Sequence, residues 1–128
     1  DSNGNSFNLS DFENEKVVVL EFMNMGCGSC HSFEKNVLKS YCNSTTMPED
    51  VEVISLTQTE DVSQEDLEER AEGKNWAYVF GSEEMTDAFG ADRSPSIVII
   101  DKDGIVTFSE SGPMTESELK DKVDEALE

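Results

Sequence analysis

VVVLEFMNMGCGSC, Val17 to Cys30, is the stretch on which the reading of the whole chain turns. Val17, Val18, Val19 and Leu20 form a β-branched apolar block, too short to span a membrane, and predict a central strand buried on both faces. Glu21 interrupts that block. After Cys30, the segment HSFEKNVLKSY spaces Phe33, Val37, Leu38 and Tyr41 as the apolar stripe of a helix from about Gly28 to Tyr41. The two cysteines therefore sit where a buried strand feeds a helix N-terminus, which is the setting of a redox C-x-x-C.

The chemistry follows from that position. Unpaired backbone N–H groups and the helix dipole favour an anion at Cys27, so its thiolate is stabilised and becomes the nucleophile. Cys30, one turn on, is the resolving thiol, and two intervening residues let the sulfurs reach disulfide distance without unwinding the helix. The same residues have other readings. Cys27 and Cys30 are half of a zinc site, although a second Cys or His pair at ligand spacing is absent from the sequence. With His31 the string becomes C-x-x-C-H, a haem attachment pattern, but here it follows a buried strand instead of lying in an exposed helical wrapping. His31 reads more simply as a solvated first-turn residue, and Met23 and Met25 as packing at the strand end. No metal and no cofactor beyond the cysteine pair is expected.

Composition bounds the rest. A chain of 128 residues with 36% hydrophobic content suits one domain over 1–128, with residues 1–6 as a polar linker remnant. Three cysteines are too few for a disulfide scaffold. A formal charge of −20 repels phosphate backbones, so nucleic acid is excluded as a partner. The acids are spread along the chain, which points to adaptation to high salt. No signal peptide or membrane span is visible, but Asp1 in place of Met suggests that a targeting or anchoring segment has been removed.

In chain order, Phe7 and Leu9 alternate as a short edge strand and Ser10 to Phe12 begins a turn. Val51 to Gln58 alternates as a second strand, and Ser63 caps a helix, QEDLEERAE, that ends at Gly73. Trp76 to Phe80 is a short aromatic strand, with Trp76 and Tyr78 as core, and Glu83 to Phe89 is a short helix. Ser96 to Ile100 and Ile105 to Ser109 form a hairpin across the turn Asp101 to Gly104. Thr115 and Glu118 make a capping box for a last helix with Leu119, Val123, Ala126 and Leu127 on its apolar face. These elements predict an α/β fold, a central mixed sheet flanked by helices.

EFMNMGCGSC and AFGADRSPSIVIIDKDGIV occur in the order found in thioredoxin-like three-layer sandwiches, and the chain resembles the TlpA/ResA type of extracytoplasmic thiol-disulfide oxidoreductases. The strand-helix-strand from Val51 to Phe80 matches that family's extra βα insertion, which plain thioredoxins lack. The resemblance implies that Pro95 is a cis proline facing the cysteine pair and that Ser94 offers its backbone to a substrate chain. It implies that Glu21, buried beneath the cysteines, relays protons. The substrates implied are protein disulfides or dithiols, together with a redox partner protein, for a monomer outside the cytoplasm with a possible membrane anchor beyond this sequence, and a cytoplasmic location is the alternative. Departures from the pattern are Gly26 where the family carries Trp at the substrate face, Ser29 for Pro, and Lys35 where thioredoxins kink the helix with Pro.

The function expected is disulfide exchange through Cys27-Gly28-Ser29-Cys30; the alternative is a non-catalytic binding module in which Cys27–Cys30 is a structural bridge. Cys42 lies about 18 Å along a continuous helix from Cys30, outside disulfide reach, and is expected to be a packed free thiol.

Overall fold

The computed structural model describes residues 14–24, 26–44, 48–57, 63–81, 95–112 and 114–127. Its strands are β1 (Val17–Met23), β2 (Val51–Thr57), β3 (Ala77–Phe80), β4 (Ser96–Ile100) and β5 (Val106–Ser111). They form one mixed sheet in the order β3-β2-β1-β4-β5. The valine-rich run is the centre, and every residue of β1 is buried. β2 runs parallel to it, with Val17 opposite Val51 and Glu21 opposite Ser55, and β3 runs parallel to β2. β4 is antiparallel to β1, with Phe22 opposite Ser96, and β5 closes the hairpin. Parallel neighbours require crossover connections, and helices supply them.

Alternation along β1 sorts the core into two layers. Val17, Val19 and Met23 face the layer that holds Cys30, Phe33, Leu38, Tyr41, Leu67, Leu119 and Val123. Glu21 lies on this face, between Val19 and Met23. Val18, Leu20 and Phe22 face the other way and pack with Ile54, Leu56, Val79 and Val98. The described helices bury their apolar stripes on the first face; the helix expected over Glu83 to Phe89, the strand of Phe7 and Leu9, and the turn of Ser10 to Phe12 lie outside the described residues.

The helix after the cysteines starts as α1 (Gly28–Phe33), passes through a π-helical stretch (Glu34–Leu38) and ends as α2 (Lys39–Cys42). Its extent matches the expectation, but the π turn does not: the Lys39 N–H reaches back five residues to the Glu34 carbonyl. α3 (Gln64–Ala71) carries the expected Ser63 cap, closed reciprocally by Asp66, and Gly73 takes the positive φ of +77° that follows its end. α4 (Glu116–Leu127) begins with the Glu118 N–H donating to Thr115 Oγ1 at 3.1 Å and buries Leu119, Val123 and Ala126.

Two strands differ from the expected limits. β3 begins at Ala77, one residue after Trp76. β5 begins at Val106 and extends to Ser111, because Ile105 belongs to the turn: its N–H donates to Asp101 Oδ1 and its carbonyl accepts the Asp101 N–H. Gly104, at φ +81°, supplies the left-handed residue of that turn. Among the described residues no helix is long and apolar enough to cross a membrane.

Candidate active site

β1 ends at Met23, and the chain turns through Asn24, whose carbonyl accepts the Cys27 N–H at 3.0 Å. Cys27 is then the N-cap of α1 in extended conformation, and its Sγ accepts the Cys30 N–H at 3.1 Å. Ser29 Oγ lies 3.4 Å from the same sulfur. Cys27 and Cys30 are joined in a disulfide with their Cα atoms 5.2 Å apart. The two sulfurs are not equivalent, because Cys27 is partly exposed whereas Cys30 is 0% exposed. An approaching thiolate therefore meets Cys27, and the backbone donor at the helix start stabilises negative charge on that atom. His31 is exposed on the first turn.

Pro95 is buried at the start of β4 and its carbonyl accepts the Gly112 N–H at 2.7 Å. The next residue, Ser96, pairs with Phe22 near the end of β1, so Pro95 lies at the end of the sheet from which the cysteine turn springs. Ser94, and with it the expected cis bond, lies outside the described residues. Gly26 is exposed, and a Cβ there meets nothing nearer than Asn24 Oδ1 at 3.7 Å, so the position has room for a side chain.

Behind the cysteine helix lies a cluster that the sequence disclosed only in part. Glu21 is 0% exposed. Its Oε1 accepts the Ser55 hydroxyl at 2.6 Å, and Ser55 Oγ in turn accepts the Trp76 indole N–H at 2.9 Å. Its Oε2 has no donor on it among the described residues. Burial first, and then the neighbouring Glu34 carboxyl, holds the Glu21 pKa well above the ordinary carboxyl range.

Glu34, also 0% exposed, is gripped from three directions: Arg70 Nε donates to Oε1 at 2.8 Å, Arg70 Nη2 to Oε2 at 3.0 Å, and the Tyr78 hydroxyl to Oε1 at 2.5 Å. Burial and this carboxylate push the Tyr78 phenol pKa far up, so Tyr78 acts as a donor. Trp76 and Tyr78 are core residues as expected, but their polar tips are committed to this cluster. Glu34, Arg70 and Ser55 were not singled out by sequence reasoning. One signal was present: Glu34 stands four residues after Cys30, on the buried stripe of Phe33, Leu38 and Tyr41, where a charge needs a partner.

Residues 1–127 match the model of the Redoxin family. The chain belongs to the Redoxin family. Its structure is similar to that of MTB dsbF, solved in mixed oxidized and reduced forms, at TM-score 0.80 and 18% identity over 98% of this chain and 91% of that one. It is also similar to the exposed lipoprotein thioredoxin Etrx1 of Streptococcus pneumoniae, at TM-score 0.76 and 20% identity over 97% and 94% of the two chains. A thiol-disulfide isomerase from Corynebacterium glutamicum matches at TM-score 0.76 and 22% identity over 98% and 89%. A search of curated protein sequences finds no match. At these identities the solved structures speak for the fold, which is thioredoxin-like. A Redoxin-family chain whose C-x-x-C closes into a disulfide at a strand-to-helix junction is a thiol-disulfide oxidoreductase.

Proposed function

We propose that this Redoxin-family chain exchanges disulfides with protein substrates, with Cys27 as the nucleophile and Cys30 as the resolving thiol. The observation that carries the assignment is the asymmetry of the pair: a partly exposed Cys27 capping the helix, and a Cys30 that is 0% exposed behind it. In the disulfide form a substrate thiolate attacks Cys27 Sγ, the Cys27–Cys30 bond breaks, and its electron pair stays on Cys30 Sγ, which takes a proton. A second substrate thiolate then attacks the substrate sulfur of the mixed disulfide, and Cys27 leaves as the thiolate that the helix start favours. The substrate dithiol has become a disulfide and the protein a dithiol; the reverse sequence reduces a substrate.

Glu21 is the acid that exchanges a proton with Cys30, since it lies on the sheet face that the cysteine helix covers and burial favours its protonated form. Pro95, Ser94 and Gly26 form the substrate face. Pro95 supports this by its place at the edge of the cysteine turn, and exposed Gly26 leaves room for a substrate chain where a bulky side chain would stand. The protein works as a monomer outside the cytoplasm, held near a membrane and supplied by a redox partner protein. That location is supported by the resemblance to an exposed lipoprotein thioredoxin. A net charge of −20 supports a high-salt setting and substrates that are not acidic.

The test is to replace each cysteine in turn. Cys30→Ser is expected to accumulate a mixed disulfide between Cys27 and a dithiol peptide, read by mass spectrometry, while Cys27→Ser loses exchange altogether. Wild-type turnover by Cys30→Ser overturns the assignment.

A further inference from the structure

We propose that Glu21 and Glu34 hold one proton between them, and that Glu34, fixed as the anion by Arg70 and Tyr78, is the positioning residue that keeps Glu21 loaded with the proton Cys30 takes up. The proposal rests on the oxidoreductase reading for its use, but the shared proton is argued from the burial and hydrogen bonds of the two carboxyls. Glu34 receives three donated hydrogen bonds, two of them from one guanidinium, and all its partners are donors. An acceptor-only carboxyl in that setting is ionised. Glu21 stands in one cross-strand row with Ser55 and Tyr78, the phenol that donates to Glu34, and among the described residues it receives a single donor, the Ser55 hydroxyl, whose direction is set by the Trp76 N–H. Its bare Oε2 is accounted for once it carries the proton and becomes a donor itself.

The charge count agrees. Two carboxyls with 0% exposure face one guanidinium whose own side chain is 9% exposed. Two adjacent buried carboxylates repel, so one keeps its proton, and the one without the guanidinium is Glu21. The charged and polar groups around the two carboxyls come from three elements: Ser55 from β2, Arg70 from α3, and Tyr78 from β3, with Trp76 just before it. Lys74, after α3, sits 5.9 Å from the centre of the Tyr78 ring and donates to the Arg70 carbonyl at 2.7 Å. β4 and α4 present Ile97, Leu119 and Val123, which are apolar. Cys30 and Glu34 are four residues apart on one buried helical face, so the pair reaches the leaving sulfur's side of the helix.

When the Cys27–Cys30 bond breaks, Glu21 gives its proton to the Cys30 thiolate, leaving two carboxylates against Arg70, a state that draws a proton back from water. In the reverse direction Glu21 first releases its proton to water, and Cys30 then gives its own proton to the Glu21 carboxylate as its sulfur attacks Cys27 Sγ and expels the substrate thiolate. Without the Glu34 charge, Glu21 ionises at lower pH and arrives at the exchange step unloaded.

The experiment is 13C NMR of the glutamate side-chain carboxyls in the oxidised wild-type protein, titrated with pH and assigned through the backbone. The Glu21 resonance is expected to titrate at a midpoint above the ordinary range, with the Glu34 resonance shifting in the same step as a neighbour of the titrating group. Glu34→Gln is expected to lower the Glu21 midpoint by at least about one pH unit, a tenfold loss of proton affinity. The pH profile of thiol-disulfide exchange moves down with it. Where Glu34→Gln does not fold, the double variant Glu34→Gln/Arg70→Met removes the ion pair as a unit and is expected to move the midpoint the same way by less. A Glu34 signal blind to the Glu21 step, or a Glu21 midpoint unmoved in either variant, overturns the proposal. A wild-type protein that shows the raised Glu21 midpoint with the Glu34 shift in the same step, yet exchanges no disulfides, leaves the shared proton standing and refutes the oxidoreductase reading instead.

Discussion

Replacing Glu21 by Gln tests the proton on that side chain through folding stability, without any enzymatic assay. Gln keeps the shape of the protonated acid: its carbonyl oxygen accepts the Ser55 hydroxyl, and its amide offers the donor that the bare Oε2 side lacks. What it removes is titration. The folded-state pKa of Glu21 is raised well above the ordinary 4.5, by burial first and by Glu34 second. Between those two values the folded protein holds a proton that the unfolded chain has released, so stability falls as pH rises, and it levels off only above the folded value. One proton corresponds to about 1.4 kcal/mol per pH unit across that window. Against a total stability of about 5 to 15 kcal/mol for a domain, even one unit is readily measured. The assay is urea unfolding of the oxidised wild type and of Glu21→Gln at a series of pH values from 5 to 8, at one fixed KCl concentration. Taking the difference cancels the many exposed carboxylates. Glu21→Gln is expected to gain on the wild type by about 1.4 kcal/mol per pH unit until the plateau, and to exchange disulfides more slowly. A difference that stays flat over the whole series, with equal m-values, refutes a protonated Glu21.

Two other outcomes follow from the same structure. Cys42 is a free, half-buried thiol at the end of α2, pushed up to about 12 by burial and by Glu52, so alkylation at pH 8 is expected to be at least about tenfold slower than for an exposed cysteine. Peptide mapping that joins Cys42 to either motif cysteine refutes that placement. With a net charge of −20 the surface repels itself in dilute buffer, and about 1 M salt shortens the Debye length to about 3 Å, so the melting temperature is expected to rise between dilute buffer and molar KCl. An unchanged melting temperature removes the high-salt reading.

The sheet was legible because its central strands announce themselves locally: a run of valines has few homes other than a strand buried on both faces, and the Asp101 to Gly104 turn names its own hairpin. The placement of Cys27, Cys30 and Glu21 was legible for a related reason, since strand, turn and helix follow each other in one continuous stretch. Glu34 was not, because a charge on a helix is usually solvated and its partners stand 36 and 44 residues away. Such pairing is a property of the folded chain. The π turn at Glu34 was equally hidden: a slip of one backbone hydrogen bond leaves no mark in composition or periodicity. Ile105 was misplaced because an apolar residue next to a turn reads as strand, while its backbone groups were needed by Asp101.

The buried cluster also explains what the segment from Val51 to Phe80 contributes. Ser55, Arg70, Trp76 and Tyr78 all come from it, and among the described residues they donate the hydrogen bonds to the Glu21 and Glu34 carboxyls and to the Ser55 hydroxyl that supports them. Well-packed apolar residues in place of such an ion pair are often neutral or stabilising, whereas removing one partner of a buried pair costs about 3 to 5 kcal/mol. Stability alone therefore gives no reason to place two acids and a guanidinium behind the cysteine helix. A proton store does, because it needs one carboxyl held as the acid and its neighbour held as the anion, and that difference requires fixed donors on one side only. β2, α3 and β3 supply those donors to Glu34 and leave Glu21 with Ser55. The strand-helix-strand unit thus extends the sheet at one edge and, by the same residues, sets which of the two carboxyls carries the proton.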